Sequence, residues 1–374
     1  MKALFFTFND FKAYDGISKK IHHQVKALIA CGIDTKTIYY DITPDGKRRW
    51  MADNGIIDEL GVGIIAKIKK RIDYTPIINY VRKEKIDFVY IRTFHNANPF
   101  TINMVKRIKQ LGAKVVIEIP SYPYDKEYVT SRMKFQLFIH RHYRYRLARK
   151  IDAIVTFTND KYIFGQRTIC ISNGIDFDSI PLRKIYHDTT QELHLIGVAE
   201  IHFWHGFDRL IRGLADYYCS NPTYKVYFHL VGSFFGEQEK EDILSLIKDN
   251  HLEQYIILYG ACYGEKLEEI FSRADFAIGS LGRHRSGITA IKTLKNREYA
   301  ARGFSFIYSE TDEDFDNQPY ILKVPPDESP IDIPDLIAFQ RSVTYSPAEI
   351  RQSIKHLSWK EQMSKVISEI KKIK

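Results

Sequence analysis

Residues 282–298, Gly-Arg-His-Arg-Ser-Gly-Ile-Thr-Ala-Ile-Lys-Thr-Leu-Lys-Asn-Arg-Glu, crowd Arg283, Arg285, Lys292, Lys295 and Arg297 around a glycine-containing loop. The loop follows an apolar run and leads into a helical pattern, with Thr293 near its start. Cations, backbone N–H groups and a helix N-terminus directed at one point make an anion site of the kind a phosphate requires. A solvated basic loop has the same composition, but its place between strand and helix favours the anion site. Gly16 stands just ahead of another helical pattern. A glycine there lets backbone approach a phosphate, or serves as a plain turn residue. The acidic run Glu310-Thr-Asp-Glu-Asp-Phe-Asp316 lacks the paired carboxylates on a strand that a divalent cation needs, and reads as a solvated loop.

These groups need elements to position them, and the chain reads as alternating strands and helices. In the first half, strands are expected at Ala3–Phe8, Thr35–Tyr40, Phe88–Ile91, Lys114–Ile119, Ile151–Phe157 and Thr168–Ile171. Helices are expected at Ile17–Ala30, Pro76–Lys85 and Thr101–Leu111, with residues 41–62 as a loop carrying a short helix. A second series begins after Asn173–Pro181. Its strands are Leu193–Val198, Lys225–Val231, Ile256–Leu258, Phe276–Ile278 and Ser305–Tyr308. Its helices are Gly206–Tyr218, Glu237–Asp249, Glu265–Arg273 and Ile291–Arg302, followed by a helical tail over Pro347–Lys374. Repeated β-α-β implies parallel sheets covered by helices on both faces, here two doubly wound α/β domains. Ligands of such domains sit beyond the C-terminal strand ends, and two domains facing each other would make a central cleft.

The 374 residues are 44% hydrophobic and 27% charged, which excludes a disordered chain and suits two domains. No apolar run is long enough to span a bilayer. The N-terminal MKALFFTFNDF is interrupted by Asn9 and Asp10 and reads as a first buried strand, not a signal peptide. Cys31, Cys170, Cys219 and Cys262 lack metal-ligand spacing and read as single buried thiols of a reducing compartment. Net charge is +9, but residues 1–180 hold 31 Lys and Arg against 18 Asp and Glu. The first half therefore suits an anionic partner. Its densest stretch, Arg132–Lys150, has no acid, and Phe135, Phe138, Ile139, Tyr143 and Leu147 recur at helical spacing. This basic amphipathic helix either packs on its own domain with a solvated face or meets an anionic membrane surface. No zinc-finger, RNP or helix-turn-helix signature supports nucleic acid as partner.

The motifs resemble a known family. Cys170-Ile-Ser-Asn-Gly-Ile-Asp176 resembles the interdomain junction of GT-B glycosyltransferases. Asn296-Arg-Glu-Tyr-Ala-Ala-Arg-Gly303, followed by Phe304-Ser-Phe-Ile307, resembles the helix-turn-strand of glycosyltransferase family 4. Ser305 stands where proline is usual there. Ile119-Pro-Ser-Tyr-Pro-Tyr-Asp125 and Trp204-His-Gly-Phe-Asp-Arg209 resemble a branch that assembles surface polysaccharides. The resemblance implies the GT-B fold, with an acceptor-side domain over 1–176 and a nucleotide-sugar domain over 177–354. The C-terminal helix, about 355–374, packs back on the first domain in such proteins. It also implies transfer of a sugar from a nucleoside-diphosphate sugar to a glycan or lipid-linked acceptor, with retention and without metal or other cofactor. The location it implies is cytoplasmic, or peripheral at the inner face of the membrane.

Carried onto this sequence, the resemblance makes Glu298 the ribose ligand, through two hydrogen bonds from vicinal hydroxyls. An exposed glutamate paired with a neighbouring cation is the alternative. Lys295, Lys292, Thr293, Arg283 and Gly16 become diphosphate or donor contacts. The family's glutamate eight positions before Glu298 is Ala290 here, and its phosphate-binding Arg/Lys pair falls near Ala199 and His205. His205 or Arg209 would then be the substitute donor, unless His205 is a structural turn residue. The family's histidine at the end of strand Val115–Ile119 is Pro120. The loop Pro120–Glu127 could stand in, with Tyr122 and Tyr124 stacking on sugar and Asp125, Glu127 or Glu118 orienting or deprotonating an acceptor hydroxyl. Packing tyrosines and helix-capping acids are the plainer reading. His95 ends another strand and is a loop histidine or a cleft residue. The missing family residues leave a second class open, a non-catalytic GT-B glycan-binding or scaffold subunit with a decayed donor site. A sugar-nucleotide epimerase on the same frame is a third.

Overall fold

A computed structural model describes residues 1–10, 16–53, 55–92, 96–125, 128, 130–184 and 191–373. The chain forms two compact units, Met1–Ser172 with Trp359–Lys374, and Asn173–Ser358. The first passage falls four residues ahead of the expected 176. Both units are α/β, and both sheets are largely parallel.

The first unit is built on the parallel strands β1 (Lys2–Thr7), β2 (Asp34–Ile42), β5 (Phe88–Arg92), β6 (Lys114–Ile119), β7 (Ala153–Thr156) and β9 (Gln166–Cys170). β1 and β5–β7 are apolar and buried over almost every residue, as strands covered on both faces must be. Residues 41–62, expected as loop and short helix, instead extend the sheet. β3 (Arg48–Ala52) pairs antiparallel with β2, and β4 (Gly55–Gly61) with β3. β8 (Tyr162–Ile163) closes the other edge, giving the order β4-β3-β2-β1-β5-β6-β7-β9-β8. Alternate residues feed two cores. Leu4, Phe6, Val89 and Val115 pack with the helices α2 (Gly63–Ile72), α3 (Thr75–Glu84), α4 (Pro99–Gln110) and α5 (Ser131–Ala148). Ala3, Phe5, Tyr90 and Val116 pack on the opposite face with α1 (Gly16–Ala30) and α12 (Trp359–Lys372).

The basic stretch is helical as expected, but its inner stripe differs. Leu137, His140, Leu147 and Ala148 of α5 are buried, whereas Phe135 and Phe138 face solvent. The cysteines also depart from expectation. Cys262 alone is buried, while Cys170 and Cys219 are exposed and Cys31 is intermediate; all four are free thiols. Among the described residues, no helix is long and apolar enough to cross a membrane.

The second unit has a six-stranded parallel sheet of β10 (Glu192–Val198), β11 (Lys225–Val231), β12 (Ile256–Gly260), β13 (Phe276–Ile278), β14 (Ser305–Tyr308) and β15 (Ile321–Lys323). Its order is β12-β11-β10-β13-β14-β15, so the chain winds outward from β10, returns, and winds the other way from β13. One face carries α6 (Phe207–Cys219), α7 (Glu237–Asp249) and α10 (Ile333–Ser342). The other carries α8 (Gly264–Ser272), α9 (Leu294–Arg302) and α11 (Pro347–Ser353). The reversal between β10 and β13 opens a crevice at their C-terminal ends, the place where such sheets receive ligands.

Candidate functional site

Three loops meet at this crevice. The loop after β10 carries Trp204 and His205, the loop after β13 carries Arg283 and leads to α9, and the segment after β14 begins with Ser309 and Glu310. Close backbone contact locks the first two together. Leu281 donates its N–H to the His205 carbonyl at 2.8 Å. Gly206 has φ +64°, and a Cβ there would lie 2.4 Å from the Gly282 nitrogen. Only glycine satisfies both constraints. Tyr299 ties α9 to the two switch-point strands, accepting from Val198 N–H and donating to the Ile278 carbonyl, each at 3.1 Å.

Lys295 lies in the first turn of α9, whose N-cap is Thr293; the Thr293 hydroxyl accepts from Asn296 N–H at 3.3 Å. The Lys295 ammonium is enclosed and has no hydrogen-bond partner among the described residues, although part of its stem is exposed. Burial drives its pKa down to about 7, with Arg283 adding to the fall and Glu310 opposing it. Glu310 is 1% exposed, and one of its carboxylate oxygens has no partner. Its pKa rises to about 7, first from burial and next from Asp312, against Arg283 and Lys295. His205 is buried beside them. Its Nδ1 accepts from His202 N–H at 3.0 Å, which leaves Nε2 to carry the ring proton. Burial, Lys295 and Arg283 push its pKa well below the ordinary value, so it is a neutral donor. Arg283 completes the group, 5.6 Å from the Trp204 ring centroid. Lys295 and Glu310 each sense the other's charge and that of Arg283, and the two cations also act on His205. A buried ammonium without an acceptor is costly unless an anion completes it. With His205 Nε2 and the α9 N-terminus, the arrangement can hold a compact polyanion.

The other expected contacts divide. Lys292 lies 3.9 Å from Glu313 and remains near the α9 start. Glu298 is about one turn from that start in the chain direction, and its side chain is 40% exposed. Among the described residues only its Oε1 is engaged, by Arg302 at 3.1 and 3.3 Å. Gly16 opens α1, while residues 11–15, which precede it, lie outside the described residues. Arg209 is corrected: it is wholly buried, and its five N–H donors go to the carbonyls of Ser329, Leu281 and Pro325, to Asp327 and to Ser329 Oγ. It holds loops together and has no donor for a ligand. Arg285 is clamped by Asp208 at 2.7 and 2.9 Å and by Glu328, and Arg297 is buried against Asp312 and Asp314. Neither is an anion ligand. The acidic run 310–316 is likewise not a solvated loop, since Glu310 and Asp312 are buried.

The expected acid-base residues of the first unit are also reassigned. Glu118 is fully buried; Arg92 and Lys20 meet one oxygen, and Tyr90 at 2.5 Å and Gln24 at 2.6 Å meet the other. Burial favours its neutral form, but Arg92, Lys20 and the two hydrogen bonds prevail and lower its pKa. Both its oxygens are engaged inside the unit, by three hydrogen bonds and the Lys20 ion pair, so it is a structural anion. Asp125 receives Arg141 at 2.7 and 2.9 Å and Arg144 at 2.9 Å. Those bonds outweigh burial and hold its pKa low, which suits a clamp between loop and α5 better than a base. Tyr124 is buried, whereas Tyr122 is partly buried. Glu127 and His95 lie outside the described residues. The residue that reading the sequence missed is Glu310, which it left in a solvated acidic loop. The position of Glu310 immediately beyond a parallel strand was the available clue.

No protein-family model matches the chain, and no curated protein matches it. Solved structures do. A sucrose-phosphate synthase of Thermosynechococcus elongatus is 14% identical with TM-score 0.64, over 99% of this chain and 98% of that one. Anabaena HepE, solved with UDP, is 14% identical with TM-score 0.62, over 99% of this chain and all of that one. A glycosyltransferase of Rickettsia africae is 13% identical with TM-score 0.59 over the whole of both chains. At such identities the likeness concerns architecture, and on that level the chain is an α/β protein of the GT-B fold, with two Rossmann-like parallel-sheet units.

Proposed function

We propose that this chain is a glycosyltransferase that moves a sugar from a nucleoside-diphosphate sugar to a hydroxyl of a glycan or lipid-linked acceptor. The observation that carries the reading is the enclosed Lys295 ammonium at the switch point of the second sheet, without a hydrogen-bond acceptor among the described residues and flanked by Arg283 and His205. As the glycosidic bond breaks, charge grows on the diphosphate leaving group. Lys295, Arg283 and His205 Nε2–H meet that charge in a dry site, where fixed donors act most strongly. Glu298 Oε2 remains available to accept from ribose hydroxyls. Anabaena HepE, of the same fold, was solved with UDP-glucose, which supports a uridine nucleotide as the first donor to try. Retention and a role in surface polysaccharide assembly accompany the sequence resemblance in this proposal, and no metal is given a role.

Ala290, where the resembling family has glutamate, and the saturated Glu118 favour a second reading, a donor-binding subunit without transfer activity. A thermal-shift screen of UDP-, GDP- and ADP-sugars tests binding, because a ligand of the native state raises its melting temperature. Stabilisation by one donor, abolished in Lys295→Met, is expected. No shift with any nucleotide sugar would overturn both readings. Binding with neither transfer nor slow hydrolysis of the sugar would leave the second.

A further inference from the structure

We infer that the helical face formed by α2, α4 and α5 of the first unit docks on an anionic lipid bilayer, with the isoleucines of α2 entering the acyl boundary. This goes beyond the donor site and does not depend on it. The sequence draws attention to α5 alone, whereas the structure adds α2. On that helix Ile64, Ile68 and Ile72 form one stripe at intervals of four residues, and Ile65 stands beside it. Ile64 is 73% exposed, Ile65 79% and Ile68 50%, and Val62, just before the helix, is exposed as well. Ala66 is the buried residue of α2. A ten-residue helix that turns its branched apolar side chains to water and an alanine to the core is arranged inversely to an ordinary surface helix.

The charge around these side chains selects the partner. α2 exposes Lys67 and Arg71, α4 exposes Lys106, and α5 exposes Arg132, Lys134 and Arg146, whereas Lys69, Lys109, Arg141 and Arg144 are paired with Asp58, Asp152 and Asp125. None of the three helices contains an aspartate or glutamate. All three cover the same face of the sheet, and α4 packs against both of the others. α4 adds an exposed Phe100 at its first turn, and α5 adds Phe135 and Phe138, 67% and 69% exposed. The first unit as a whole holds 36 Lys and Arg against 18 Asp and Glu, a charge of +18, while the second holds 19 against 28, or −9. Exposed isoleucines beside exposed lysines and arginines, on helices that carry no acid of their own, match an interface of anionic headgroups over acyl chains. Nucleic acid would use the cations but has no site for the isoleucines. A bilayer accepts apolar side chains spread over three helices, whereas a protein partner must offer a matching groove.

The test is co-sedimentation of the full chain with vesicles of phosphatidylcholine alone and of an equal mixture of phosphatidylcholine and phosphatidylglycerol. Binding to the mixed vesicles, weakened by salt, and little binding to phosphatidylcholine alone are expected. The variant Ile64→Ser/Ile65→Ser/Ile68→Ser should lower the mixed-vesicle affinity by about tenfold or more. Its circular dichroism should be unchanged, since all three side chains are exposed. Lys67→Glu/Arg71→Glu/Arg132→Glu/Lys134→Glu should abolish the dependence on phosphatidylglycerol. Absence of binding to mixed vesicles, or binding indifferent to the serine variant, overturns the inference. So does a dimer, seen by light scattering, that the serine variant dissociates, because the face would then be a contact between copies of this chain.

Discussion

Lys295 and Glu310 stand near their titration midpoints at neutral pH, each with a pKa of about 7, and this gives the site a signed pH response. The unfolded lysine keeps its proton up to about 10.5, so between about 7 and 10.5 the unfolded chain binds more protons, and this group's contribution to stability rises with pH. The unfolded glutamate loses its proton near 4.5, so between 4.5 and about 7 the folded chain binds more, and stability falls as pH rises. The two together place a stability minimum of the unliganded protein near neutrality. A diphosphate favours charged Lys295 and neutral Glu310, so its binding takes up protons. Nucleoside diphosphate affinity should therefore fall above about pH 7, by at most about tenfold per pH unit for each proton. Calorimetry in two buffers of different ionisation enthalpy reads the uptake directly, and a buffer-independent heat would refute the coupling. Glu298 makes a separate prediction. Its half-exposed pair with Arg302 is worth under about 1 kcal/mol, and Arg302 retains Glu268 at 2.6 and 2.7 Å. Glu298→Ala should thus unfold at nearly the same urea concentration, while UDP affinity drops about tenfold or more for two lost hydroxyl bonds to a carboxylate. Pyrophosphate affinity should be unaffected. Equal losses for UDP and pyrophosphate would move Glu298 from ribose to phosphate.

Elements bring these residues together through backbone approach, and Gly206 is where that approach is tightest. Alanine there must adopt φ +64° and overlap Gly282, at a cost of about 2 kcal/mol or more. Urea unfolding of Gly206→Ala should show that loss, and donor-induced stabilisation should vanish because His205 shifts relative to the loop after β13. Full stability with intact donor binding would show that the two loops need not touch. The parallel strands were readable because β1, β5, β10 and β11 are apolar runs bounded by helical patterns. The hairpin of β3 and β4 was not, since Arg48, Arg49, Asp58, Glu59 and the glycines at 46, 55 and 61 give the segment the look of a polar loop, and its strands depend on pairing with β2. The cationic segment 282–298 was recognisable as a group, but not which of its members meets a ligand. Arg297 is taken by Asp312, Arg285 by Asp208 and Glu328, and Lys295 is left with no hydrogen-bond partner among the described residues, an allocation made by tertiary contacts. The same contacts draw the 310–316 run inward, against the polarity of its sequence.

At the scale of the molecule, the chain leaves the first unit after Ser172, builds the second, and returns at Trp359. The returning helix α12 buries Trp359, Met363, Val366, Ile367 and Ile370 against α1 and the sheet, so residues at the two ends of the sequence share one core. Gln362 joins them, accepting from Ser172 N–H at 2.8 Å, the last residue before the chain departs. Trp359 is 3% exposed, and its ring lies 5.6 Å from the Lys20 ammonium, which in turn meets Glu118 at 3.7 Å. The tail thus supports the buried charge cluster under α1 as well as apolar packing. Trp359→Ala should cost about 3–5 kcal/mol, the range for truncating a large buried aromatic. That is a large share of a domain's total stability. The loss belongs to the first unit, whereas the proposed nucleotide site is made of residues of the second. In a calorimetric scan the transition lowered by Trp359→Ala should therefore be one that UDP does not raise. A scan unchanged by the substitution would mean that α12 rests on the first unit without stabilising it. A single transition, moved down by the substitution and up by UDP, would mean that the units unfold together, with the tail setting the stability of the nucleotide site as well.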